Sequence, residues 1–171
     1  MSVARLLARW RVTLGFAVAL VVIVLAAPTW SAWRAGLVVA IVGEAIRVWA
    51  AGHLEKSREV TRSGPYRWTR HPLYLGSSII AIGVMVAAHS LVVAVAGSLY
   101  MVATIGAAIR TEEAFLRQAF GDAYDRYQRS VAEPMERRFS LERALRNREY
   151  RAVTGLVGGF ALLAVKMVLW H

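Results

Sequence analysis

Residues 62–76 read RSGPYRWTRHPLYLG. Three arginines, a turn and a His-Pro step stand directly before an apolar run, and each has a local consequence. Ser63-Gly64-Pro65-Tyr66 is turn chemistry, because glycine tolerates positive φ and proline fixes its own. At His71-Pro72 the proline holds the preceding residue extended and suits a first helical position, so a helix is predicted to begin at Pro72. Arg70 and His71 then lie at the mouth of that helix, beside its N–H groups and positive dipole end, a place that binds anions. Tyr66, Trp68 and Tyr74 add ring faces suited to a planar base or a cation. Taken singly, the same residues also describe an aromatic belt with arginine anchors at a bilayer surface.

The rest of the chain supports a bilayer. Of its 171 residues 57% are hydrophobic, far above a soluble average, and the mean hydropathy is positive. The formal charge is +10, but the 21 basic residues flank apolar runs and do not line one helix face, which favours a membrane surface over nucleic acid as the partner. The absence of cysteine excludes disulfides, a thiolate nucleophile and Cys-ligated metal. His53, His71, His89 and His171 have no metal-ligand spacing, so no metal site is expected.

Five segments approach the ~20 residues that a helix needs to cross a bilayer core: about 12–30, 35–52, 72–88, 91–109 and 152–170. The fold expected is all-α, a polytopic membrane helix bundle forming a single domain over 1–171. Arg5, Arg9 and Arg11 before the first segment, with Pro28 at its end, read as an uncleaved anchor. Alternate connections are strongly basic, with five Lys/Arg in 52–71 and ten in 110–151. The positive-inside rule therefore puts the N-terminus and both these stretches in the cytoplasm, in a bacterial inner membrane if the source is bacterial. Both polar clusters then emerge at one face.

The second cluster is IRTEEAFLRQAFGDAYDRYQRSV, residues 109–131. Glu112 and Glu113 are expected to open a helix below the membrane, where its dipole favours negative charge. Leu116 and Phe120 give that helix an apolar face, Gly121 caps it, and Asp122 starts the next turn, carrying Tyr124 and Tyr127. Residues 135–150 read as an amphipathic helix lying on the surface and resting on membrane lipids. Glu44 and Arg47, at i, i+3 inside the second apolar segment, form either a structural ion pair or a wall of an acceptor (substrate) pocket. Lys166 is expected to snorkel.

In their order and hairpin spacing, SGPYRWTRHPLYLG (63–76) and EEAFLRQAFGDAYDRYQRSV (112–131) together resemble the isoprenylcysteine carboxyl methyltransferases and the related phospholipid methyltransferases. The resemblance covers roughly residues 40–131 and leaves the last helix, 152–170, outside it. It implies an integral membrane enzyme that uses S-adenosylmethionine without a soluble nucleotide-binding domain. By position, Tyr66, His71, Pro72, Leu73, Tyr74 and Glu112 match the family's cofactor-binding residues, and Val60 and His53 align with further contacts. Arg70 joins them through its place at the helix mouth. The family's substrate arginine, four residues before the glutamate, is replaced by Ala108, and Arg110 is about 200° further round a helix. Arg110 and Glu113 are nonetheless the candidate catalytic residues, the first facing an acceptor and the second acting as base for an amine. Prenyl-thioether acid, phospholipid amine, quinone-like lipid and hydrophobic thiol all stay open as acceptors, as does the oligomeric state.

Two other readings compete. Membrane sterol reductases, which use NADPH, share a His-Pro-x-Tyr step but read Asn where this chain has Leu73 and Glu where it has Ser77. A non-catalytic membrane protein would use both motifs only for anchoring and packing.

Overall fold

The computed structural model describes residues 18–133 and 135–170. Residues 12–17 of the first expected span, the arginines that argue for an anchor, and His171 lie outside them. All regular structure among the described residues is helical: α1 (18–25), α2 (Trp30–Ala51), α3 (Pro72–Ala88), α4 (Leu91–Phe120), α5 (Asp122–Gln128), α6 (Leu141–Arg146) and α7 (Tyr150–Trp170), with a 3-10 turn at Gly64–Arg67. Of these, α4 and α7 are long and apolar enough to cross a membrane, and α3 is apolar but shorter.

The first boundary falls earlier than expected. Pro28 interrupts the chain after α1, and Thr29 begins α2 as an N-cap whose hydroxyl accepts from the Ala32 amide at 3.3 Å. The long α2 packs antiparallel on α3 at backbone distance. Gly36 faces Gly83 and Ala87, and Gly43 faces Gly76 and Ile80, so that a Cβ at any of the four glycines would meet backbone of the opposite helix. This stripe brings the last turns of α2 beside the first turn of α3, where the first polar cluster lies.

The helix carrying the second cluster does not open at Glu112. α4 runs unbroken from Leu91 to Phe120, and both glutamates lie well inside it. No proline interrupts the stretch, and the change from apolar to charged residues leaves the hydrogen-bond ladder intact. Thirty residues extend about 45 Å, more than the ~30 Å of a hydrocarbon core, and the charged residues of α4 lie from Arg110 onward. Gly121 (φ +47) ends α4 and Asp122 starts α5, as the sequence suggests.

Residues 135–150 also differ from expectation. Before α7 begins at Tyr150 only Leu141–Arg146 is helical, N-capped by Ser140, and this piece is latched to the end of α2. Arg143 donates to the Gly52 carbonyl at 2.6 Å and to Glu55 at 2.9 Å, while Asn147 donates to the carbonyls of Ala51 and Leu54, both at 2.9 Å. A helix C-terminus leaves carbonyls in need of donors, and these side chains satisfy them.

Lys166 plays the same part at the other end of the bundle. Its ammonium donates to the carbonyls of Ile23, Val24 and Ala26 at 2.7, 2.9 and 2.7 Å, tying α7 to the end of α1. Hydrogen bonds to charged groups contribute about 1.5–3 kcal/mol each where they are buried. Lys166→Met is therefore expected to lower the thermal midpoint in detergent by several degrees without changing ligand affinity at the far end of the molecule. An unchanged midpoint would contradict this role.

Candidate functional site

His71 organises the site. It is the N-cap residue of α3, with Pro72 at N1, and makes no side-chain cap of its own, so its ring turns towards α4. The imidazole Nε2 lies 3.0 Å from Glu113 Oε1, and only 14% of the side chain is exposed. A carboxylate only accepts, so Nε2 carries the proton. Nδ1 is buried with no hydrogen-bond partner among the described residues, 4.0 Å from Glu112 Oε2. The Arg70 guanidinium stands 3.9 Å from Glu113, and the Tyr74 ring lies 5.9 Å from the imidazole. The hydrogen bond from His71 holds the Glu113 carboxyl below the usual carboxylate range.

The 3-10 turn forms the neighbouring wall. Gly64 has φ +56 and packs on the His53 ring so closely that a Cβ there would collide with it. His53 Nδ1 lies 3.1 Å from the buried Ser63 hydroxyl, and burial with the nearby Arg143, Arg137 and Arg67 lowers its pKa, favouring the neutral ring. Val60 is buried in the same loop. Tyr66 is buried too, which pushes its phenol well above the ordinary range. Its carbonyl accepts from the Tyr127 hydroxyl at 2.8 Å, and this clamps α5 over the turn. Trp68 is 77% exposed and packs on Trp49 with ring centroids 5.4 Å apart.

The structure thus brings together Tyr66, Arg70, His71, Pro72, Leu73, Tyr74, Glu112 and Glu113, while His53 and Val60 lie in the loop behind them. Arg110 is exposed on α4 and makes no hydrogen bond or ion pair among the described residues. Glu44 and Arg47 are 3.9 Å apart, but the closer partner of Arg47 is Glu149, at 2.7 Å. Sequence reasoning missed Glu149. The available signal was the cost of an arginine within an apolar segment, which demands a partner, but Glu44 at i−3 answered that demand locally.

An apolar cavity of about 430 Å³ opens between α1, α3, α4 and α7, with Ser77, Tyr100 and Thr104 as its polar positions. A neighbouring groove of about 330 Å³ is lined by Arg47, Ser77 and Ile80, and by Ala152 and Gly155 of α7. Ser77, one turn after Leu73, borders both spaces.

Residues 10–123 match the family model described as phospholipid methyltransferase. The chain belongs to the phospholipid methyltransferase family. Both polar clusters up to Glu113 fall within the match; α6, Glu149 and α7 fall outside it. The chain is 36% identical over 114 residues to a protein of Oryza sativa subsp. indica named "Probable protein-S-isoprenylcysteine O-methyltransferase", covering 60% of each. It is 33% identical over 81 residues to the protein-S-isoprenylcysteine O-methyltransferase of Schizosaccharomyces pombe, covering 47% of this chain and 34% of that one. A third relative, the cobalt-zinc-cadmium resistance protein CzcN of Cupriavidus metallidurans, is 33% identical over 99 residues, 57% of this chain and 44% of that one. The chain therefore spans three fifths or less of the length of these curated relatives. No solved structure matches it significantly.

Proposed function

We propose that this protein transfers a methyl group from S-adenosylmethionine to a lipid-like or small hydrophobic acceptor at the cytoplasmic face of a membrane. The observation that carries the reading is His71, at the N-cap position of α3, fixed through Nε2 by Glu113 and presenting at a helix mouth a buried Nδ1 with no partner among the described residues. A buried polar atom without a partner costs free energy unless something meets it. The residues around it suit the cofactor. Arg70 and the α3 N-terminus favour an anionic group, Tyr66 and Tyr74 offer ring faces, and Glu112 accepts hydrogen bonds from an amino group or hydroxyl.

S-adenosylmethionine, when bound, supplies a methyl group already activated on a sulfonium. What remains for the protein is positioning and exclusion of water. His71 and Arg70 orient the polar end, and the covering of Tyr66 by α5 through Tyr127 keeps that wall dry. The apolar cavity beside Ser77 has the size and lining for a hydrophobic acceptor. Arg110, exposed and without an ion pair among the described residues, is the cation proposed to meet an anionic group on such a molecule. Glu113 is the nearest carboxylate for deprotonating an amine, but its bond to His71 makes it a weak base and a good orienting partner.

The membrane arrangement belongs to the same proposal. α1, α2, α3, α4 and α7 are read as five crossings of one domain, with the methyltransferase-like core at about 40–131 and an additional last helix at 152–170. The basic stretches 52–71 and 110–151 face the cytoplasm, in a bacterial inner membrane if the source is bacterial. The test is incubation of the protein in vesicles with methyl-labelled S-adenosylmethionine and a bacterial lipid extract. Label is expected in the organic phase, and its release only as methanol or its retention in water would contradict a lipid-like acceptor.

A further inference from the structure

The guanidinium of Arg47, in the last turns of α2, is spent on three other parts of the molecule. Nε and Nη2 reach the two oxygens of Glu149 at 2.7 and 3.2 Å. Nη1 donates to the Leu73 carbonyl at 3.5 Å and to the Ser77 hydroxyl, which in turn donates to the same carbonyl at 2.8 Å. Leu73 is the second residue of α3 and follows His71 by two. One planar fork therefore joins the end of α2, the foot of α7 and the turn that carries His71.

Glu149 is held for this purpose. It immediately precedes α7 and is 6% exposed, and its amide donates to the Ala144 carbonyl at 3.1 Å behind Arg148, which takes φ +62. Bidentate carboxylate–guanidinium pairs fix direction as well as energy. Glu44 lies 3.9 Å from Arg47 Nε and beside Glu149, and it offers the fork a second carboxylate in the absence of the first. Turning towards Glu44 would draw the guanidinium away from Leu73.

We propose that Glu149 is a positioning residue of the methyl-transfer site, acting through Arg47 to fix the first turn of α3 and the direction in which His71 presents Nδ1. The inference rests on the cofactor reading above and extends it. A residue outside the family-matched stretch 10–123 completes the site, and the C-terminal helix is part of the binding machinery.

The test is calorimetric titration of S-adenosylhomocysteine into purified wild type, Glu149→Gln, Glu149→Asp and the triple variant Glu44→Gln/Arg47→Met/Glu149→Met, with the thermal midpoint of each recorded. Glu44→Gln is included because Glu44 would otherwise be left as a buried carboxylate without Arg47; the combination then leaves no unpaired buried charge and keeps the volume, so it is the one most certain to fold. Misdirecting Nδ1 weakens a hydrogen bond to the ligand, and Glu149→Gln and the triple variant are expected to bind at least about tenfold more weakly than wild type. Glu149→Asp should recover part of the loss, which a role in stability alone would not require at unchanged midpoints. Wild-type affinity in the folded triple variant would overturn the proposal, as would wild-type affinity in Glu149→Gln. If Glu149→Gln fails to fold, the triple variant decides. Absence of binding by wild type itself would overturn the methyltransferase reading and this inference with it, whereas wild-type binding with unaffected variants would overturn this inference alone.

Discussion

Replacing His71 by alanine is expected to abolish measurable binding of S-adenosylhomocysteine while leaving a folded protein. The imidazole supplies the buried Nδ1 and holds Glu113 in place at 3.0 Å. Its removal deletes the polar atom proposed to meet the cofactor and leaves Glu113 to swing to Arg70, now 3.9 Å away. A hydrogen bond involving a charged group is worth about 1.5–3 kcal/mol, so loss of the one to the ligand amounts to roughly tenfold to a hundredfold in affinity, and loss of the hold on Glu113 adds to it. Folding should survive, because the α3 start rests on Pro72 and on the glycine stripe and not on a side-chain cap. Calorimetric titration at unchanged thermal midpoint checks this, and wild-type affinity in the variant would remove His71 from the site.

The second large effect concerns the scaffold. A side chain at Gly83 would meet the Gly36 carbonyl and the Ala40 amide of α2, which are backbone atoms and cannot turn aside. Gly83→Leu must push α2 and α3 apart. Overpacking costs about 1–3 kcal/mol where side chains can adjust and more where they cannot, so the variant is expected to lose most of its folded fraction. Gly158→Leu is the control, because nothing among the described residues lies within 4 Å of a Cβ at that position on α7. Size exclusion in detergent with a thermal melt separates the two. Similar behaviour of both variants would show that the close approach does not hold the bundle together.

Much of the site is legible in the sequence because its determinants are local. The start of α3 at Pro72, the positive φ of Gly64 and the break at Gly121 all follow from residue types that restrict their own backbone. The convergence of Glu112 and Glu113 on Arg70 and His71 follows from a short hairpin between two apolar segments. The continuity of α4 was harder to see, since the rise in charge after Arg110 resembles a helix start when dipole preference is the only guide. Helices pass from apolar to charged surroundings without a break when no proline or cap intervenes.

The least legible contacts are those most distant along the chain. Arg47 and Glu149 are 102 positions apart, and Lys166 meets the α1 carbonyls across 140 to 143. In both cases a nearer explanation was available, Glu44 for the arginine and snorkelling for the lysine. Residues 135–150 show the same limit. Their amphipathic pattern is real, but the carbonyls at the end of α2 offer Arg143 and Asn147 better partners than a membrane surface does.

The central claim is a cofactor site at His71. The measurement that tests it most directly is calorimetric titration of the detergent-purified wild-type protein with S-adenosylhomocysteine and, separately, with NADPH. The account predicts saturable binding of S-adenosylhomocysteine and none of NADPH. Binding of NADPH alone would place the His-Pro step in a reductase, and binding of neither would reduce both clusters to anchoring and packing.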